Sequence, residues 1–188
     1  MQTSALAGDL ALANKSEQRA PRYTSYPTAD RFEPGFGQQA YSSAVAQRAR
    51  AGVTRPLSLY VHLPFCRSLC FYCACNKIVT RDRSKATRYL GYLGREIELQ
   101  AALFGAENRV SGMHWGGGTP TFYDISEMAA LWRKIATHFE LDPGGEYSLE
   151  IDPRTVDSGL VAALRDLGFN RVSFGVQDLD PAVQAAIN

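Results

Sequence analysis

The sequence predicts an α/β chain: parallel strands alternating with helices, forming the first part of an open, TIM-like partial barrel behind an irregular and helical N-terminal extension. Three observations predict it. Strand-like and helix-like segments alternate from Leu57 onward. Each strand-like segment is apolar on one face only. Every cysteine, Cys66, Cys70, Cys73 and Cys75, falls in the stretch CRSLCFYCAC directly after the first strand, where barrel active sites sit.

Residues 1–56 read as an extension. APRYTSYPTADRFEPGF is rich in Pro, Gly and Tyr without a clear period, and residues 37–52 form a short helix candidate stopped by Gly52. Residues 57–188 hold the barrel segment. Strands are expected over 57–63, 110–115, 147–152 and 171–177, and helices over 84–104, 124–139 and 158–168. Leu90, Leu93, Ile97 and Phe104 keep helical spacing, although Gly91 and Gly94 each weaken that helix by about 1 kcal/mol relative to Ala. Asp124 with Glu127 makes a capping-box start, Gly168 a C-cap, and Asp180-Pro181 an N-cap and N1 pair.

The strand alternation carries the functional signal. Leu57, Leu59, Val61 and Leu63 oppose Ser58, Tyr60 and His62. Met113 and Trp115 oppose Gly112 and His114. Leu149 and Ile151 oppose Ser148, Glu150 and Asp152. Val172, Phe174 and Val176 oppose Ser173, Gly175 and Gln177. A closed (β/α)8 barrel fills its interior with branched apolar side chains. A polar inner face suggests a partial barrel that holds a ligand, the alternative being a sheet with one face in water. Four strands cannot close a barrel, so the chain is expected to be the N-terminal piece of a longer protein, inactive alone.

Composition excludes some classes. The chain has 188 residues, 45% hydrophobic and 21% charged, with net charge +1. That balance gives no case for nucleic acid or an anionic membrane. The N-terminus has no signal-peptide pattern, and no run approaches the ~18 apolar residues of a membrane helix. A cytoplasmic protein with reduced thiols is expected. The cysteine spacing is C-x3-C-x2-C-x-C. Structural zinc usually takes two ligand pairs separated by a longer insert, and no second pair exists. The spacing favours an iron–sulfur cluster, with zinc as the alternative. The turn GGGTP (116–120) fits neither the dinucleotide nor the P-loop pattern, but its bare backbone can approach a ligand closely.

The cysteine spacing resembles the signature of the radical S-adenosylmethionine (SAM) superfamily, and GGGTP is similar to its glycine motif. PRYTSYPTA, YVHLPFC, CNKIVT, HWGGGTPT and GFNRVSFGVQD resemble, more narrowly, the bacterial oxygen-independent coproporphyrinogen III oxidases. The resemblance implies a three-quarter radical SAM barrel. It implies a [4Fe-4S] cluster on Cys66, Cys70 and Cys73 and two molecules of SAM. Tyr60, the backbone at Tyr72, Gly117 and Glu150 match contacts to the first; Gly118, Thr119 and Gln177 match contacts to the second. The implied reaction turns two propionates of coproporphyrinogen III into vinyls, in a monomer served by an unidentified electron donor and acceptor. Cys75 is a candidate active-site residue or a spare thiol. His62 and His114 are catalysts or hydrogen-bonded structural residues, and Arg22 covers the site or packs in the extension. The rival functions are a related haem chaperone and a zinc-bound structural module.

Overall fold

The computed structural model describes residues 28, 31–52 and 55–187. Arg22 and most of PRYTSYPTA lie outside them. The chain divides into two units, Met1–Tyr41 and Ser42–Asn188, the boundary falling within α1 (Gln38–Arg50).

In the second unit the chain forms β1 (Leu57–Leu63), β2 (Phe65–Cys66), β3 (Ile78–Val79), α2 (Arg83–Phe104), β4 (Arg109–Gly117), α3 (Ile125–His138), β5 (Glu140–Ile151), α4 (Ser158–Leu167), β6 (Arg171–Phe174) and α5 (Pro181–Ile187). β1, β4, β5 and β6 form one parallel sheet in that order. Each new strand joins the same edge. This winding without reversal is that of a barrel arc, whereas a doubly wound sheet reverses and covers both faces with helices.

Aspartates start α2, α3, α4 and α5. The Asp82 side chain accepts from the Ser84 amide, Asp157 from Leu160, and Asp180 from Ala182. Asp124 and Glu127 complete the expected capping box. Each such cap contributes about 1 kcal/mol. Gly168 ends α4 in the left-handed region at φ 119°, and a Cβ there would stand 2.6 Å from the Trp132 ring.

The apolar strand faces bury Val61, Leu63, Met113, Trp115, Leu149 and Ile151 against Met128, Leu131, Ile135 and Leu164. Trp115 meets Phe169 edge-on at 4.9 Å between ring centroids. Each fully buried side chain of this kind contributes about 1.5–3 kcal/mol.

Two strands differ from expectation. β5 begins at Glu140 rather than at 147. Its pairing with β4 jumps from Val110↔Leu141 to Gly112↔Glu146, so residues 142–145 bulge out. Pro143-Gly144-Gly145 reads as a break in sequence because it is one locally; the pairing resumes on both sides. β6 stops at Phe174, three residues short, because the chain turns: Gln177 has φ 67°. Val172 and Phe174 are 37% and 46% exposed, where Met113 and Leu149 are 2% and 0%.

Candidate cofactor site

The polar strand side chains meet in register. Tyr60 lies beside His114, His114 beside Ser148, and Glu150 beside Ser173. The Tyr60 and His114 rings stack at 6.0 Å. His114 Nδ1 is 2.8 Å from Ser148 Oγ and its Nε2 is 3.5 Å from Glu150 Oε1. The Gly117 amide donates to Glu150 Oε2 at 3.2 Å. His62 lies 3.1 Å from the Tyr60 hydroxyl and 3.0 Å from the Asn76 carbonyl oxygen. Both histidines are thus tied into the protein's own hydrogen bonds.

At the C-terminal end of the sheet lies a cleft of about 930 Å³. Cys66, Cys70, Cys73, Cys75, Gly117, Gly118, Thr119, Glu150 and Gln177 all line it. Tyr60 and Tyr72 do not; they are 59% and 67% exposed, Tyr60 on the same sheet face and Tyr72 on the cysteine loop. Gln177 reaches the cleft from the turn after β6 and not by strand alternation.

The glycines are packed by the protein itself. A Cβ on Gly117, at φ 116°, would stand 2.6 Å from the His62 ring; one on Gly118 would stand 2.6 Å from the backbone of Pro64 and Phe65. The turn's amides are taken as well: Gly118 donates to Leu63 O at 2.9 Å and Thr119 to Phe65 O at 3.0 Å. The Thr119 hydroxyl lies 3.0 Å from that of Thr121, which is 2.7 Å from that of Thr155.

The cysteine loop leaves the sheet through β2 and returns through β3. These two pair in parallel, Phe65 with Ile78 and Cys66 with Val79, and close the loop at its base. Within it, the Cys73 amide donates to Cys70 O at 3.2 Å and Lys77 Nζ to Cys73 O at 3.0 Å. Burial pushes the Cys66 thiol up, the neighbouring Cys73 adds to this, and the Lys77 cation opposes it. Burial and Cys73 likewise push Cys75 up. Crowded thiols resist becoming thiolates until a positive centre joins them. Among the described residues no group of three or more side chains stands as a ready-made metal-ligand set. In donor chemistry and placement Cys66, Cys70 and Cys73 nevertheless fit an iron–sulfur cluster: soft sulfurs on one loop lining one cleft.

The alternation of β5 pointed to Asp152, but the cleft-lining Arg154, Thr155, Thr121 and Arg67 were not foreseen. Arg154 pairs with Asp152, Nη2 to Oδ2 at 2.7 Å, and holds that carboxyl below its ordinary value. These residues belong to turns beyond the strand ends, which period two does not reach.

The profile of the "Radical SAM superfamily" matches residues 60–188, and the chain belongs to that superfamily, whose members use SAM and a [4Fe-4S] cluster. Among its relatives is the oxygen-independent coproporphyrinogen III oxidase of Pseudomonas aeruginosa, 47% identical over 182 residues, which are 96% of this chain and 39% of the relative. That of Escherichia coli is 48% identical over 180 residues, 96% of this chain and 38% of the relative. One from Mannheimia haemolytica is 45% identical over 151 residues, 80% of this chain and 99% of the relative. Within the superfamily the chain belongs with these oxygen-independent coproporphyrinogen III oxidases. The solved E. coli coproporphyrinogen III oxidase, a radical SAM enzyme, superposes with TM-score 0.81 at 46% identity, over 96% of this chain and 39% of that one. The chain thus spans about 39% of the length of the first of these relatives.

Proposed function

We propose that this protein takes part in the oxygen-independent oxidative decarboxylation of coproporphyrinogen III to protoporphyrinogen IX, a step of haem biosynthesis. The observation that carries the reading is the single cleft shared by the cysteine loop, the glycine turn, Glu150 and Gln177.

In this reading Cys66, Cys70 and Cys73 hold the [4Fe-4S] cluster. Bound there, cluster and SAM supply one-electron reduction and a 5′-deoxyadenosyl radical, chemistry beyond any side chain. The protein's residues bind and orient. Glu150 accepts hydrogen bonds from the first SAM, beside Tyr60 and the backbone at Tyr72 and Gly117. Gly118, Thr119 and Gln177 hold a second SAM. Cys75 lines the wall that faces the substrate. Each propionate to be converted loses a hydrogen atom, CO2 and one further electron, leaving a vinyl. An electron donor and acceptor outside this chain complete the balance.

The test uses protein expressed from the whole reading frame, purified and reconstituted anaerobically, with SAM, reductant and coproporphyrinogen III. Glu150→Ala should weaken SAM binding and reductive SAM cleavage together. Gln177→Ala should keep the cluster and lose vinyl product. A zinc-only preparation, or wild-type turnover in both variants, would overturn the reading.

A further inference from the structure

Lys77 is a half-buried lysine inside the cysteine loop. Its ammonium donates to the carbonyl oxygen of Cys73 at 3.0 Å, and among the described residues that is its hydrogen bond. Among those residues no carboxylate pairs with it. A partly desolvated ammonium without a counter-charge is costly, and lysine is flexible enough to swing into water instead. The loop that carries Lys77 also carries the four thiols Cys66, Cys70, Cys73 and Cys75. Nearby contacts fix the same returning limb of the loop. Asn76 O lies 3.0 Å from His62 Nε2, and the Ile78 amide donates to Pro64 O at 2.7 Å. Lys77 is thus held between two anchored neighbours.

We infer that Lys77 is a positioning residue of the cysteine loop, whose ammonium ties the returning limb to Cys73 and sets a fixed positive charge against the thiolate-held group. The inference rests on Cys66, Cys70 and Cys73 being cluster ligands. A thiolate-ligated cluster gains negative charge on reduction. A fixed cation held on the same loop stabilises the reduced form more than the oxidised one. The hydrogen bond to Cys73 O also holds one thiol-bearing residue in place before any metal arrives.

The experiment compares holoprotein carrying Lys77→Met, Lys77→Gln and Lys77→Arg with wild type. It measures iron retained against a chelator and the midpoint potential of the bound cluster. Loss of the charge in Lys77→Met should shift the one-electron equilibrium about tenfold toward the oxidised form, about 59 mV more negative, and should speed iron loss. Lys77→Arg should restore both. Lys77→Gln, which keeps a donor but no charge, should slow iron loss yet leave the potential low. Far-UV circular dichroism checks folding; if Lys77→Met does not fold, the Gln variant's potential decides. A wild-type potential in Lys77→Gln overturns the charge role, and wild-type iron retention in Lys77→Met overturns the tether. Iron-free wild-type protein would instead sink the cluster reading itself, and this inference with it.

Discussion

The cleft has two unlike walls. The sheet wall, Gly117, Thr119 and Ile151, is buried and held by ladder hydrogen bonds and packed side chains. The loop wall, Cys66, Cys70, Cys73 and Cys75, belongs to a loop that also exposes Phe71 and Tyr72 at 71% and 67%, tied at its base by β2–β3 and inside by a handful of bonds. One wall is completed by folding. The other is anchored at its ends and held between them by few bonds, the Phe71 amide to Ile187 O at 2.9 Å among them, so its middle depends more on what it binds. Substitutions in the sheet wall should therefore cost stability along with any ligand contact, and those in the loop should cost ligand alone.

The largest effect should fall on the loop. Cys70→Ala should take iron from about four per chain to almost none, by colorimetric iron assay, while the apoprotein's urea midpoint stays at the wild-type value. A large loss of apoprotein stability would erase the contrast. Behind the sheet wall, Trp115→Ala should cost about 3–5 kcal/mol in urea denaturation, because it empties a fully buried site. Gly118→Ala should cost about 1–3 kcal/mol, since its Cβ meets backbone that cannot rotate away. Wild-type stability in that variant would show that the Pro64–Phe65 backbone gives way to the added methyl and that close packing does not hold the turn.

The smallest effect should come from the Asp152–Arg154 pair on the cleft rim, where Arg154 is 56% exposed. Asp152→Asn should cost less than about 1 kcal/mol at pH 7. The sign follows from the lowered carboxyl value. Its contribution is full above the unfolded value near pH 4 and is lost as pH falls through the folded one. The gap between wild type and variant should therefore close at strongly acid pH.

Much of the sheet wall was legible because period two is a local signal. Val61, Leu63, Met113, Trp115, Leu149 and Ile151 are buried as their alternation required, and Glu150 faces the cleft. The caps at Asp124 and Asp180 were legible for the same reason. The short β2–β3 pair was not, since two-residue strands have no period and their pairing is set by the loop they close. Nor was the turn at Gln177, whose positive φ no residue type announces. The glycine turn promises bare backbone that a ligand can approach, and Gly117 and Gly118 do line the cleft; what the sequence does not announce is that their Cβ positions are filled by His62 and by Pro64–Phe65. Close packing between strand ends is a tertiary fact that a run of glycines permits but does not specify.

His62 sits between two oxygens of different character. The carbonyl of Asn76 can only accept, so a neutral ring carries its proton on Nε2 and leaves Nδ1 as an acceptor. The Tyr60 hydroxyl, 3.1 Å away, must then spend its one hydrogen inward on that nitrogen. What Tyr60 turns toward solvent is a pair of unoccupied lone pairs. The phenol is thereby made directional: an ammonium can dock on it, while a carboxylate oxygen finds no hydrogen to share. An imidazole on the first strand thus works as a polarity filter for the ring beside it.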